Sequence, residues 1–399
     1  MKKILVPNGN YTDIRLIQSY KRMGLYVITS GNDKSLSGHK YADEYVPHDY
    51  SDYKGMLEIA KELNIDYVSS CANDFGVTTA AYIAENMGLP GHDTFEVAKI
   101  IAEKDLFKDF AQKNHLLCIP SNHFYTKEEA YKSVENAEYP IIVKPTDLGG
   151  GKGVTRVNDA KDVKKAIDFA FEKSKSGHIV IEPFIEGTQH SFCTFLVNKK
   201  VVSFTSFDEL DAINNPFLVG YTTSPALDID RVAPILIKEI EKMGELLNLA
   251  DGIFHVQYRM YKGQPLIMEC MRRCLGNYSL RAASKMLGYT IEDYIAKAHC
   301  GMDCSDIPHT FNYEGSGYFS HFYIQPRKNG VVKDVIIPDE IKEYIYDYIK
   351  EWKEGTVITN YTVQMLGFVF FQFPSREIRD DIAHRLYDLI KVVMEDDCE

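Results

Sequence analysis

The chain has 399 residues, of which 45% are apolar and 12% aromatic, so it can bury the cores of two or three folding units. Its 45 Lys and Arg residues stand against 57 Asp and Glu residues, a formal net charge of -12. This charge argues against nucleic acid or an anionic membrane surface as the main partner. We therefore expect a small-molecule partner.

The amino terminus and the cysteines indicate a cytoplasmic protein. The opening MKKILVPNGN has only a short apolar run before Pro7, too little for the core of a signal peptide, and no stretch approaches a membrane span. The eight cysteines lack CxxC spacing, which favours reduced thiols over a disulfide framework. Cys300 and Cys304 are interpreted as buried thiols because no third metal ligand follows nearby.

The first 95 residues alternate between strand and helix signals. The segments KKILVPNG, LYVITSG and IDYVSSCAND have the composition of strands, and YTDIRLIQSYKRMG and YKGMLEIAKELN that of helices. This order predicts a small doubly wound parallel sheet. Gly9 stands alone after the first strand, so a dinucleotide fingerprint is not supported.

The rest of the chain predicts a mixture of helices and strands. Helical spacing begins at TFEVAKIIAEKDLFKDFAQKN, and residues 141–275 are predicted to be mostly strands with a helix near 159–174. Residues 341–352 have apolar residues at helical spacing, which indicates a packing helix. GTVITNYTVQMLGFVFFQF predicts a strand pair, and Ser375 is the expected N-cap of a final helix. The turn residues in DELDAINNPFLVGYTTSPA suggest a mobile cover or substrate loop.

The glycine-rich segment DLGGGKGV, residues 147–154, lies between two predicted strands and is therefore a hairpin tip. Lys152 is followed by Gly153, so the segment is not a Walker A loop. The DFG triplet at residues 74–76 precedes the hairpin and no HRD segment exists, which makes a kinase match a chance one. Exposed N–H groups of such a hairpin suit nucleotide phosphates, although a simple glycine turn is the alternative.

Polar residues in the following strands fit a nucleotide site. Lys144 ends an apolar strand and Lys104 lies in a helix upstream; both suit phosphates, with plain solvation as the alternative. HIVIEPFIEGTQHSF supplies Glu182, with a hinge that can hold an adenine ring, and Gln189, which could reach a ribose. Gln257 and Glu269 stand at comparable depth on neighbouring predicted strands, and their oxygens suit Mg²⁺. The strand histidines His190 and His255 are interpreted as half-buried structural residues.

The joint order of these features resembles the ATP-grasp superfamily over nearly the whole chain. The order is Lys104, Lys144, the glycine hairpin, the Glu182 hinge, Gln257, and then Glu269 followed by Arg273 and Gly276. The resemblance implies an α/β protein with the ATP-grasp fold in three parts. These are a doubly wound N-terminal domain at 1–95, a two-lobed ATP-grasp domain at 96–300 and a small C-terminal α+β domain at 301–399.

The resemblance also implies roles for individual residues, with ATP and Mg²⁺ as cofactors. Glu269 would hold Mg²⁺, together with Gln257, and Arg273 would stabilise the transferring phosphoryl group, which makes Glu269 and Arg273 the catalytic candidates. Gln189 would face the ribose. The remaining nucleotide-binding candidates are two lysines and the hairpin for the phosphates, and three hinge residues for adenine: Lys104, Lys144, Gly149, Gly150, Gly151, Lys152 and Gly153, then Glu182, Phe184 and Ile185.

The expected activity is ligation of a carboxylate to an amine through an acyl phosphate, with release of ADP and phosphate. Where the family pattern has acids, this chain has Gln189 and Gln257, and Met271 replaces a frequent Asn. These departures motivate a rival hypothesis, a catalytically weakened ATP-binding regulatory protein. A purine-pathway ligase resembling phosphoribosylglycinamide synthetase and a ligase with a thiol acceptor are further alternatives. Self-association is possible, and the orientation of Arg272 is left open.

Overall fold

The computed structural model describes residues 1–148 and 152–395. Its helices are α1 Ile14–Arg22, α2 Tyr53–Leu63, α3 Asp74–Met87, α4 Phe95–Ala102, α5 Lys104–Lys113, α6 Lys127–Ser133, α7 Ala160–Lys173, α8 Ile229–Leu246, α9 Ser279–Leu287, α10 Ile291–His299, α11 Asp339–Lys342 and α12 Arg376–Leu389. Its strands are β1 Lys3–Val6, β2 Tyr26–Gly31, β3 Glu44–Pro47, β4 Tyr67–Val68, β5 Asn122–Phe124, β6 Ile141–Pro145, β7 Thr155–Val157, β8 Ile179–Pro183, β9 Gln189–Val197, β10 Lys200–Ala212, β11 Asn215–Ser224, β12 Gly252–Tyr261, β13 Gln264–Met271, β14 Tyr318–Ile324, β15 Gly330–Ile336, β16 Ile345–Lys350, β17 Thr356–Ile358, β18 Gly367–Phe373 and β19 Lys391–Met394.

The N-terminal residues form the predicted parallel sheet. Its strand order is β3-β2-β1-β4, and the recorded pairs are all parallel. The apolar side chains of β1 are buried on both faces, because Ile4 and Val6 pack toward α1 while Leu5 packs toward α2 and α3. Asn73 caps α3 by accepting a hydrogen bond from the backbone N–H of Phe75, so the helix begins at Asp74.

The hairpin β6–β7 lies in a separate four-stranded antiparallel sheet of order β5-β8-β6-β7. Ile141 pairs with Val157, which confirms that the glycine segment connects two strands of a hairpin. Helix α7 covers one face through Ala166, Ile167 and Ala170, all buried. The predicted helix near 159–174 is confirmed.

An eight-stranded antiparallel sheet forms the centre of the molecule, in the order β13-β12-β9-β10-β11-β14-β18-β16. Helix α8 packs on one face, where Val232, Leu236 and Ile240 contact Phe192 and Phe254. The other face meets α9, α10 and the N-terminal sheet. The last three strands in this order, β14, β18 and β16, come from residues beyond 300 and continue the central sheet without a break in hydrogen bonding.

Several local sequence predictions are wrong. Residues 208–226 are not a loop, because β10 and β11 form a long hairpin within the large sheet. Helix α8 lies in the stretch expected to be mostly strands, with Pro234 inside it, and strands β14 and β15 were not anticipated. Strands β17 and β18 are not a pair, since they belong to different sheets.

Residues 341–352 were predicted to form a helix but contain only the short α11 and then β16. Ile345, Tyr348 and Ile349 pair with Phe371, Val369 and Phe368 of β18, and this pairing overrides the helical spacing. The expected packing role is nevertheless correct, because Ile341 is buried in the C-terminal core. Ser375 caps α12 as predicted, by accepting from the N–H of Ile378.

No helix in residues 1–148 and 152–395 is both long and apolar enough to cross a membrane.

Candidate functional site

A buried ion-pair cluster lies where the hairpin lobe, the four-stranded sheet β5-β8-β6-β7 with its helices α6 and α7, meets α5. Lys144 on β6 donates to Glu182 Oε1 at 2.6 Å, and Lys108 Nζ lies 3.8 Å from Glu182 Oε2. Glu182 and Lys108 are 6% and 5% exposed. Burial opposes ionisation of Glu182, but the charges of Lys144 and Lys108 hold its pKa below the ordinary value. Two predicted residues, Lys144 and Glu182, are thus in direct contact.

The hinge residues Phe184 and Ile185 follow β8. The backbone N–H of Phe184 donates to Pro140 O, and Ile185 is buried. The guanidinium of Arg156 lies 3.8 Å from the centre of the Phe184 ring, and that of Arg259 lies 5.2 Å from it. Phe184 is therefore held as a cation-π platform, and the role of the hinge in adenine binding stays a prediction.

Lys104 is the first residue of α5 and joins the hairpin to the central sheet. Its Nζ donates to Leu148 O at 3.0 Å and lies 3.6 Å from Glu269 Oε2. Gly153 adopts a φ of +74°, in the left-handed region that favours glycine, and Lys152 is exposed. The candidates Gly149, Gly150 and Gly151 lie outside the described residues.

Gln257 on β12 and Glu269 on β13 are direct cross-strand partners, as the sequence suggested. In an antiparallel pair such residues share one face of the sheet. The described residues contain no group of three His, Cys, Asp or Glu side chains that could hold a metal ion. Glu269 and the carbonyl oxygen of Gln257 are oxygen ligands that suit Mg²⁺, which usually completes its shell with phosphate oxygens and water. The residues present therefore fit a nucleotide-bound Mg²⁺.

The amides of Gln189 and Gln257 both donate to a residue that the sequence did not single out. Glu209 on β10 accepts from Gln189 Nε2 at 2.9 Å and from Gln257 Nε2 at 2.7 Å, and it is 9% exposed. Burial raises the pKa of Glu209 against the lowering effect of these hydrogen bonds. Acids at both positions could not donate and would repel this carboxylate, so the two amides are matched to Glu209.

Arg273 lies two residues beyond β13 and points to the N-terminal domain. Its Nε and Nη2 contact the two oxygens of Asp74 at 2.5 and 3.1 Å, a bidentate pair. Its recorded ion-pair partner is therefore Asp74 and not Glu269. Burial opposes ionisation of Asp74, but the Arg273 charge lowers its pKa. Arg272 points elsewhere, into a buried pair with Asp93 and onto backbone carbonyls, which indicates a structural role.

The two histidines were expected to be half-buried, but both are fully buried, and Nδ1 of His255 makes no hydrogen bond with any described residue. His190 is buried on the opposite face of the sheet, 2.7 Å from Asp208 and stacked on Tyr258. His255 is also buried, and burial lowers its pKa to about 3, with the charge of Arg273 contributing. His255 is therefore neutral at physiological pH.

Three residues of this site were missed: Lys108, Glu209 and Asp74. Lys108 follows Lys104 by four residues, the spacing of one helix face. Glu209 gave no comparable signal, because it lies between Asp208 and Asp211 in a strand that also contains serine and threonine. Asp74 belongs to the triplet set aside as a chance kinase match. The sequence around Asp74 contains no signal for its pairing with Arg273, which lies 199 residues further along the chain.

This geometry agrees with the similarity of the chain to known proteins. The family described as phosphoribosylglycinamide synthetase, ATP-grasp (A) domain, matches residues 102–215. The fold is therefore the ATP-grasp fold, and the predicted resemblance to ATP-grasp ligases is confirmed.

Individual relatives are distant. The chain is 25% identical over 295 residues to the phosphoribosylamine–glycine ligase of Pyrococcus furiosus. The aligned region covers 67% of this chain and 65% of that protein. It is 22% identical over 243 residues to the C-terminal section of the carbamoyl phosphate synthase large chain of Aquifex aeolicus, covering 59% of this chain and 44% of that protein. The matches thus span about half to two thirds of these relatives. Among solved structures, the L-amino acid ligase of Bacillus licheniformis superposes with a TM-score of 0.81 at 19% identity, covering 99% of both chains.

Proposed function

We propose that the protein is an ATP-dependent ligase that activates a carboxylate as an acyl phosphate, which an amine then attacks with release of ADP and phosphate. The observation that supports this most strongly is the convergence of Lys104, Glu269 and Gln257 at one end of the central sheet. Lys104 Nζ lies 3.6 Å from Glu269 and contacts the residue that leads into the glycine hairpin. A cation and oxygen ligands at the same point suit Mg-ATP phosphates.

In this proposal the cations of the chain offset the charge of the reacting anions. A carboxylate and a nucleotide phosphate repel each other, so positioned positive groups lower the barrier to their reaction. Lys104 and Lys144 bind the phosphates, and Arg273, oriented by Asp74, stabilises the phosphoryl group during transfer. Mg²⁺, when bound by Glu269 and Gln257, contributes further charge neutralisation. The hinge at Glu182, Phe184 and Ile185 holds the adenine, and Gln189 faces the ribose.

The cellular compartment, the substrate class and the division of the chain into domains are part of the same proposal. The seven described cysteines are all unpaired thiols, in keeping with a reducing, cytoplasmic setting. The substrates are a small carboxylate and a small amine. We retain the division at residues 95 and 300 as an organisational proposal, with the nucleotide bound in the central part.

The test is ADP release in the presence of Mg-ATP, a panel of carboxylic acids that includes the protein amino acids, and hydroxylamine to trap acyl phosphates as hydroxamates. The full-length protein should release ADP and form a hydroxamate with at least one acid. Arg273→Ala should lower the rate by about 10²–10³, the usual effect of removing a group that stabilises developing negative charge.

Arg385→Lys, an exposed position on α12, is the matched control and should leave the rate unchanged. Binding of Mg-ATP without ADP release or hydroxamate would favour the rival hypothesis of a nucleotide-binding regulatory protein. A rate unaffected by Arg273→Ala would contradict the assignment of that residue.

A further inference from the structure

A pocket of about 290 Å³ lies at the carboxyl-terminal end of the central sheet, and we call it the C-terminal pocket. Its walls come from the end of β14, the loop after that strand, the end of α12 and the start of β19. In the central sheet β14 is five strands from β13, about 24 Å at normal strand spacing. The C-terminal pocket is therefore separate from the place where Lys104, Gln257 and Glu269 meet.

Hydrogen bonds fix the walls of the C-terminal pocket. Arg327 Nη2 donates to Tyr387 O at 2.8 Å and to Asp388 Oδ1 at 3.2 Å, which ties the loop after β14 to the end of α12. The Tyr387 hydroxyl accepts from the backbone N–H of Ile213 and donates to Asp211 O, so α12 is also tied to the hairpin of β10 and β11. Sites for small molecules are usually formed in advance, and these contacts give the pocket a defined shape.

The floor of the pocket is apolar, but one buried polar group interrupts it. Phe322, Ile324 and Ile390 line the pocket and belong to the C-terminal core. Gln325, the residue after β14, also lines it and is 7% exposed. Its Oε1 is buried and makes no hydrogen bond within the described part of the chain. Because buried amide oxygens normally have a donor, the pocket suits a molecule with an apolar body and an N–H or O–H group.

The rim of the pocket has one more positive than negative side chain. The charge of Arg327 is offset by Asp388, with which it forms an ion pair. Lys391, the first residue of β19, is exposed, and its ammonium group has no hydrogen-bond or ion-pair partner among residues 1–148 and 152–395. An ammonium group of this kind forms its strongest hydrogen bonds with a carboxylate. The rim thus favours a carboxylate on the bound molecule.

We propose that the C-terminal pocket binds a small apolar α-amino or α-hydroxy acid. The apolar side chain of the ligand contacts Phe322 and Ile324, its amino or hydroxyl group donates to Gln325 Oε1, and its carboxylate pairs with Lys391. The volume lies at the lower end of the range of about 300–1,000 Å³ for ligand pockets, which suits a molecule of this size better than a nucleotide. This site is distinct from the proposed ligase site, and the assignment does not depend on that function.

Isothermal titration calorimetry on the full-length protein tests the chemistry of the ligand. The probes are L-leucine, L-phenylalanine and the α-hydroxy analogue of each, and a comparison within each pair separates an N–H donor from an O–H donor. Three further probes each lack one feature: the deaminated acid lacks the donor, the decarboxylated amine lacks the carboxylate, and glycine lacks the apolar side chain. At least one amino or hydroxy acid should bind, and each reduced probe should bind about tenfold more weakly or less.

Variants locate the binding. Gln325→Leu removes the acceptor and should weaken binding about tenfold, the effect of losing one hydrogen bond. Lys391→Gln removes the rim charge at an exposed position and should weaken binding about two- to fivefold, whereas Lys391→Arg should keep the affinity. The matched control is Lys353→Gln, an exposed lysine of the same region that does not line the pocket. Binding should also survive Arg273→Ala, which alters only the candidate site.

Three results would overturn the proposal. One is no heat of binding with either amino acid or either hydroxy acid. Another is equal affinity for the deaminated acid, which would remove the role of Gln325. The third is binding that Arg273→Ala abolishes and Gln325→Leu leaves unchanged, because the acid would then occupy the candidate site. Urea unfolding checks that Gln325→Leu is folded, and if it is not, the comparison of Lys391→Gln with Lys391→Arg decides.

Discussion

The buried pair of Lys144 and Glu182 allows a quantitative test by Glu182→Gln. The substitution preserves shape but leaves the Lys144 and Lys108 ammonium groups, whose side chains are 12% and 4% exposed, without a carboxylate. Breaking a buried ion pair by removing one partner typically costs about 3–5 kcal/mol. The amide oxygen still accepts from Lys144, and Lys108 keeps its bond to Ile119 O, so we expect the lower end, about 3 kcal/mol.

Urea unfolding at neutral pH measures this cost. Glu172→Gln removes an exposed charge beside Lys173 in the same lobe, and it should cost less than about 1 kcal/mol. The pKa of Glu182 is lowered in the fold, so its contribution is full above the ordinary 4.5 and is lost as pH falls through the folded value. The gap between wild type and Glu182→Gln should therefore narrow below pH 4.5. A neutral-pH cost equal to that of the Glu172 control would refute the reasoning.

Three other predictions concern ligands, the domain junction and pH. Mg-ATP at 100-fold excess over its Kd should stabilise the protein by about 2.7 kcal/mol in a thermal-shift assay, and Lys104→Ala should weaken this shift without affecting that of AMP. Asp74→Asn removes the carboxylate that pairs with Arg273 and is 42% exposed, so urea unfolding should show a loss of stability below about 1 kcal/mol. The rate of ADP release should nevertheless fall, because Arg273 loses the partner that orients it. Burial raises the pKa of Asp13 from 3.8 to about 6. The protonated Asp13 carboxyl therefore contributes fully to the free energy of unfolding below pH 3.8, and this contribution is lost as pH rises through 6. Urea unfolding should thus show wild type losing about 3 kcal/mol relative to Asp13→Asn across that window, and a constant difference would contradict it.

The parts of the fold that the sequence predicted are those with strong local signals. The N-terminal alternation of apolar strands and amphipathic helices, the glycine hairpin and the Ser375 cap need little information from distant residues. Residues 341–352 were misjudged because Tyr and Ile recur at a spacing that fits a helix, and only the partner strand β18 decides between the two states. The hairpin of β10 and β11 was missed for a related reason, since its turn residues are local but its register depends on β9 and β14.

For the site, the sequence placed residues along the chain but could not pair them. It ordered Gln257 opposite Glu269, because two adjacent strands with a short turn have a nearly fixed register. It could not connect Asp74 with Arg273, which are 199 residues apart, or identify Glu209 as the acceptor of both amides. The substitutions at Gln189 and Gln257 appeared to weaken the site only while this carboxylate was unknown.

The continuous central sheet limits how the chain can be divided. Residues beyond 300 provide β14, which pairs with Tyr221–Ser224 of β11. A chain cut at residue 300 would leave the N–H and C=O groups of that segment as an open edge strand, beside apolar residues such as Tyr221 that now pack against Phe322. Such edges recruit strands from other molecules and lead to aggregation. The nucleotide-binding half, produced without its carboxyl-terminal part, would therefore tend to form insoluble assemblies.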